Sequence, residues 1–281
     1  MKSTLWNVGA SSCILTPEEH SVEGFSSYKE AGIKFAEFSC CHNLSQIDFY
    51  NNPERILKAA EANGVKFTSF HLPFSKTISF SAPDKDVREK AVLKLKETVD
   101  AASSIGINLM VMHPSCSNYE FYPEREPLVA QCLSHIGEVY EYCDKKNITL
   151  AVENMTGKGL LGTPFEMIRC LKEFPDIKIC FDVNHCFHLT PEEYLDELIK
   201  AGFKGRIATI HASDYFLKEE KHLMPGEGTA DFAAVTKKLQ EMDYKGVFMY
   251  EVSGNKETGV RYTPKAVKEN FDTVIKSALF N

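Results

Sequence analysis

Short apolar runs alternate with longer amphipathic stretches from one end of the chain to the other. Strand-like runs are predicted at TLWNVG (4–9), IKFAEFS (33–39), KFTSFHL (66–72), INLMVMHP (107–114), ITLAVEN (148–154), IKICFDV (177–183), RIATIHA (206–212) and VFMYEVS (247–253). Each is a nearly continuous apolar run rich in Val, Ile and Phe, the pattern of a strand covered on both faces. Between them, apolar residues recur every three or four positions and helix punctuation appears. PERILKAAEANG (53–64) has Pro in its first turn and Gly at its end, and the stretch 84–106 opens on acids and stops at Gly106. TPEEYLDELIKAG (190–202) offers Thr190 as N-cap, Pro191 at the first helical position, Glu193 at the capping-box position and Gly202 past the end. The stretch 263–279 repeats the Thr-Pro start.

Eight such units in 281 residues leave about 35 residues for each. Alternating strands and helices with parallel-type strands predict an α/β fold, and eight units predict one (β/α)8 TIM barrel spanning residues 1–281. No GxGxxG follows the first strand and no GxxxxGK[ST] occurs, which argues against a nucleotide-binding open sheet.

Composition narrows the function classes. The chain is 43% hydrophobic and 25% charged, so it has the apolar content for a large core. Its net charge of −7 gives no global attraction to polyanions, which disfavours a nucleic-acid partner. Nine scattered cysteines without a CxxC pair fit a reduced compartment. No apolar run reaches the roughly 18 residues of a membrane span, and the first residues lack a signal-type apolar core. A cytoplasmic protein without a membrane partner is expected.

The chemistry collects where the strands end. Read in order, those ends carry Glu37, His71, His113, Glu153, Asp182, His211 and Glu251. The C-terminal rim of a barrel's strands is its working face. Carboxylates and imidazoles crowded round one axis would be costly to bury unless something compensates them, and a divalent cation does so most simply. Singly, each has a plainer explanation. Asp182 or Glu153 could cap the next helix, a lone His could be hydrogen-bonded structure, and a Lys could satisfy Glu37.

The series HLPF (71–74), MHPS (112–115), AVENMTGKG (151–159), FDVNHC (181–186), IHASD (210–214), HLMPGEGTADF (222–232) and MYEVSG (249–254) resembles the xylose isomerase-like barrel superfamily. That superfamily includes sugar isomerases, ketose 3-epimerases and endonucleases of the endonuclease IV type. The resemblance covers essentially the whole chain. Its most specific parts are the DxxH of Asp182 and His185, the HxxD of His211 and Asp214, and the PGEG turn. In the epimerase branch one divalent ion is held at positions that resemble Glu153, Asp182, His211 and Glu251. Three oxygens and one nitrogen suit Mn2+, Mg2+ or Co2+, with Zn2+ as a further option.

What the resemblance implies is a metal-dependent epimerase or isomerase of a sugar or sugar phosphate. The metal polarises a ketose carbonyl and stabilises an enediolate, while Glu153 and Glu251 act as catalytic acid and base on opposite faces. His185 is a candidate donor to the substrate oxygen, or a partner that orients Asp182. His71, His113 and His222 are further candidate substrate contacts. Trp6 and Phe38 are candidates for an apolar wall, with core packing the alternative for Phe38. Lys158, in GKGLLG (157–162), is a candidate for a phosphate or sugar tail, and a glycine loop explains the segment equally well. Asp231 reads as a helix N-cap and Glu227 as a turn residue. Related proteins are often dimers or tetramers, so a homo-oligomer is an option.

The endonuclease branch uses three zinc ions and nine ligands, eight of which match His71, His113, Glu153, Asp182, His185, His211, His222 and Glu251. The ninth, an Asp two residues before a His, is Glu220 here, and its extra methylene speaks against a third metal. Ketose 3-epimerases commonly carry an Arg about six residues after the metal-binding His, where this chain has Leu217 and then Lys218. A polyol dehydratase and a non-catalytic sugar-binding barrel are the remaining alternatives.

Overall fold

The computed structural model describes residues 6–39, 52–115, 125–156, 159–186, 189–217 and 219–280. Eight parallel strands form one sheet: β1 (Val8–Ser11), β2 (Phe35–Phe38), β3 (Lys66–His71), β4 (Leu109–Met112), β5 (Thr149–Glu153), β6 (Lys178–Asp182), β7 (Ile207–His211) and β10 (Phe248–Tyr250). Each pairs with the strand before it, and β10 pairs with β1. A parallel bridge between Ala212 and Tyr250 brings β7 and β10 together, with the Ala212 N–H donating to the Met249 carbonyl at 2.8 Å. The sheet is therefore a nearly closed barrel. Two antiparallel hairpins rise from its C-terminal rim. They are β8 (Asp214–Phe216) with β9 (Glu219–Leu223), and β11 (Gly254–Asn255) with β12 (Val260–Arg261).

The helices between the strands are α1 (Val22–Ala31), α2 (Pro53–Glu61), α3 (Lys85–Ser104), α4 (Arg125–Asp144), α5 (Pro164–Glu173), α6 (Pro191–Lys200), α7 (Phe232–Glu241), α8 (Pro264–Asn270) and α9 (Lys276–Phe280). The predicted capping box forms at α6, where Thr190 and Glu193 satisfy each other's backbone N–H groups. Thr163 and Thr263 cap α5 and α8 ahead of their prolines. A π-helical turn, Phe271–Ile275, interrupts the predicted final helix.

Strand alternation divides the core in two. Phe38, Phe70, Met110, Val152, Ile179, Phe181, Ile210 and Phe248 join the large cluster of buried apolar residues that also holds the helices. The opposite parity points inward. Val111, Ala151 and Cys180 form a separate small cluster, each two residues before one of His113, Glu153 and Asp182. The barrel is thus plugged by small side chains directly below the rim where the polar groups gather.

The first strand differs from its predicted position, beginning at Val8 rather than residue 4. Its core is Gly9-Ala10-Ser11, too small to register as an apolar run. A Cβ on Gly9 would lie 2.7 Å from Val247 Cγ1 and 3.0 Å from the Phe35 carbonyl oxygen. The close approach of the neighbouring strands selects glycine there.

Candidate active site

Four of the expected residues converge at the rim. Glu153, Asp182 and His211 are the last residues of β5, β6 and β7, and Glu251 follows β10. All four are buried. His211 Nδ1 lies 3.1 Å from Glu251 Oε2, 3.3 Å from Glu153 Oε1 and 3.8 Å from Asp182 Oδ2. One donor atom from each residue lies within 4.8 Å of the others. Glu153 Oε1 and Oε2, Asp182 Oδ2 and His211 Nδ1 make no hydrogen bond. Buried polar atoms left so are costly, and Glu153 Oε1, Asp182 Oδ2 and His211 Nδ1 lie together, the nitrogen 3.3 and 3.8 Å from the two oxygens. With Glu251 they form a donor set that fits a divalent cation.

Local hydrogen bonds position Asp182 and the histidines around the cluster. Asn154 clamps Asp182 by accepting its N–H at 2.8 Å and donating to its carbonyl at 2.9 Å. The Asn184 N–H donates to Asp182 Oδ1 at 2.6 Å, which leaves Oδ2 for the cluster. His71 Nδ1 donates to the Leu72 carbonyl at 2.9 Å, so Nε2 faces Glu153 Oε2 at 3.4 Å. His113 Nε2 reaches the same oxygen at 3.2 Å, and its ring stacks on Phe74 at 3.8 Å. His185 Nδ1 donates to the Asn154 carbonyl at 2.8 Å.

Without a cation, protons balance the charges. Burial disfavours ionising Glu153, but His113 and His211 outweigh it and hold its carboxyl well below the usual range. Burial disfavours a charged His71 too, yet Glu153 pushes its imidazole up to about 9. Burial opposes protonation of His185, and Asp182 with Glu220 pushes it up to about 10. Asp182 itself is pushed up to about 7, first by burial and then by the charges of Glu153 and Glu251.

Comparison with known proteins matches residues 25–275 to the family model described as a xylose isomerase-like TIM barrel. The chain belongs to this family. Uncharacterized protein MJ1311 of Methanocaldococcus jannaschii is 28% identical over 191 residues, 64% of this chain and 62% of that protein. A protein named probable endonuclease 4, from Acholeplasma laidlawii, is 30% identical over 120 residues, 41% of this chain and 39% of its own length. Among solved structures, a D-tagatose 3-epimerase-like protein superposes with a TM-score of 0.76 at 20% identity, over 98% of this chain and 97% of that one.

This xylose isomerase-like barrel carries a second donor group beside the first. His222 Nε2 lies 3.0 Å from Glu220 Oε1, and His185 Nε2 lies 3.9 Å from the same oxygen. Glu220, the departure from the endonuclease pattern, thus sets its carboxylate beside the two histidines. The group opens onto a cavity of about 690 Å³ whose lining includes Lys221, Ser253, Asn255, Lys256 and Glu257. Lys221 pairs with Glu257 at 3.2 Å and so ties the two rim hairpins together.

Several expected roles move. Trp6 precedes β1, at the opposite end of the barrel from the donors; its indole N–H donates to the Tyr244 carbonyl at 2.9 Å and its ring stacks on Phe248. It lies at the barrel floor and away from the rim where the donors gather, because the strand that follows it begins only at Val8. Phe38 stacks on Phe70 at 4.4 Å in the core. Lys158 and Lys218 lie outside the described residues. Among the described residues Glu37 pairs with no lysine; it meets His211 at 2.9 Å. Asp214 was legible only as half of a motif, yet it accepts the N–H groups of Tyr215, Gly226, Gly228 and Ala230 and so holds the PGEG turn. Asp231 caps α7 as expected.

No helix among the described residues is long and apolar enough to cross a membrane.

Proposed function

We propose that this chain is a divalent-metal-dependent epimerase or isomerase of a ketose or ketose phosphate, working in the cytoplasm. The observation that carries the reading is the convergence of Glu153, Asp182, His211 and Glu251 on one point. These four would hold Mn2+, Mg2+ or Co2+, with Zn2+ as the alternative. A bound ion supplies polarisation of the substrate carbonyl, which acidifies the neighbouring C–H.

The protein's own groups then move the proton. Glu153 and Glu251 are both kept ionised: burial opposes this, but their histidine neighbours prevail. They stand on β5 and beside β10, with β6 and β7 between them. A substrate across the mouth therefore meets one carboxylate on each side. One removes the proton from the carbon next to the carbonyl, and the other, after taking up a proton from solvent, delivers that proton to the opposite face, inverting the centre; the first then gives its proton back to water. Return to the adjacent carbon instead interconverts aldose and ketose. His185 donates to the substrate oxygen that gains charge, and His71, His113 and His222 contact its hydroxyls.

The test is deuterium exchange at C3 across a panel of ketoses and ketose phosphates, with Mn2+ added. Exchange with at least one substrate is expected. A loss of about 10²-fold or more in Glu153→Gln and in Glu251→Gln, with metal still bound, is expected as well. Undiminished exchange in either variant contradicts the acid/base assignment.

A second reading has its own observation. His185, Glu220 and His222 form another donor group, and Glu153 Oε2 faces both His71 and His113. That arrangement suits a multinuclear zinc site and an abasic-site endonuclease. The net charge of −7 weighs against DNA as substrate. Nicking of abasic-site DNA by zinc-loaded protein would establish this reading over the first.

A further inference from the structure

We infer that Glu37 is the positioning residue that sets the tautomer of His211, and that Ser69 in turn anchors Glu37. The inference rests on reading the four-residue group as a metal centre. It starts from a break in strand register. β2 and β3 pair Ala36 with Phe67, and the next pair is Glu37 with Ser69, so β3 skips a residue. The skip sets Glu37 beside Ser69, and both side chains are fully buried.

Each oxygen of Glu37 has its own partner. Oε2 accepts the Ser69 hydroxyl at 2.8 Å, and Oε1 lies 2.9 Å from His211 Nε2. A carboxylate only accepts, so Nε2 carries a hydrogen. In the neutral ring this leaves the lone pair on Nδ1, the nitrogen that faces Glu153, Asp182 and Glu251. Without Glu37 the proton could sit on Nδ1, where it would block a cation, and the ring could swing. Glu37 therefore acts through His211 without touching the ion, and makes that ring a better donor. Ser69 stops the carboxylate from rotating away. Among the strand-end residues Glu37 thus belongs behind the donors and not among them.

The test is Co2+ titration of the metal-free full chain, followed by its visible spectrum, in the parent, Glu37→Gln and Ser69→Ala. Gln keeps the size and an accepting oxygen but loses the charge. Its dissociation constant for Co2+ is expected to rise about 10- to 100-fold, with shifted absorption bands. Ser69→Ala is expected to weaken binding in the same direction by a smaller factor. A merely architectural Glu37 would lower the melting temperature and leave the Co2+ affinity within about twofold and the bands unchanged; that outcome overturns the inference. If Glu37→Gln does not fold, Ser69→Ala decides, and unchanged affinity there overturns it equally. A parent chain that takes up no Co2+ is a separate result. It removes the metal centre itself, and the role of Glu37 with it.

Discussion

Asp214 is buried beside the site and holds a turn with one side chain, so its replacement has consequences that can be worked out. Its Oδ1 accepts from Tyr215 at 2.9 Å and Ala230 at 3.0 Å, and its Oδ2 accepts from Gly226 and Gly228, both at 2.9 Å. The fit is close, since a Cβ on Gly228 would lie 2.4 Å from Asp214 Oδ1. Four hydrogen bonds to a charged acceptor at about 1.5 kcal/mol each amount to about 6 kcal/mol. Burial disfavours this charge and raises the carboxyl's pKa, which offsets part of that. Water can also reach some of the released N–H groups, so Asp214→Ala should cost about 4 kcal/mol. For a chain this long that is about 7 °C in melting temperature. Asp214→Asn keeps one accepting oxygen and should cost roughly half as much. Thermal unfolding of metal-free protein by circular dichroism measures both. A shift below about 2 °C for Asp214→Ala would refute the reasoning, because it would mean that water replaces all four bonds without loss.

Gly9→Ala should destabilise by about 1–3 kcal/mol, read by urea denaturation, because its Cβ would crowd Val247, Met249 and the Phe35 carbonyl. Trp6→Phe should lower the melting temperature by a few degrees through loss of its bond to the Tyr244 carbonyl, and should leave the proposed epimerase or isomerase activity unchanged. Metal-free protein should lose stability as pH rises from about 6.5 to about 9 or 10. The protonated forms of His71, His185 and His222 are favoured by the fold, so their contribution is full below the ordinary imidazole value and fades as pH passes about 9 for His71 and His222 and about 10 for His185. Saturating Mn2+ should flatten that decline in a melting-temperature series across pH; an equally steep decline with and without the ion would contradict it.

The barrel was legible because seven of its strands lie in nearly continuous apolar runs and most of its helices carry explicit caps. The first strand was displaced in the sequence reading because small residues, not large apolar ones, fit its crowded neighbours. The hairpins β8–β9 and β11–β12 left no trace, since DYF, EEKHL and GNKETGVR are short and polar and depend on contacts with each other. The donors Glu153, Asp182, His211 and Glu251 could be found because a barrel sends its strand ends to one rim. The part of Glu37 could not, since it depends on a skipped residue between β2 and β3 that no local pattern records. The reach of Glu220 to His185 and His222 likewise depends on where β9 runs, with His222 itself at a φ of 48°.

The central claim is that Glu153, Asp182, His211 and Glu251 hold one divalent ion. Metal-free protein titrated with Mn2+, with the free ion followed by electron paramagnetic resonance, tests it most directly. The parent should remove at least about one equivalent from solution, and Asp182→Ala and His211→Ala should each weaken uptake about 10-fold or more. A free-ion signal that the parent leaves undiminished, or uptake unchanged in both variants, would contradict the account.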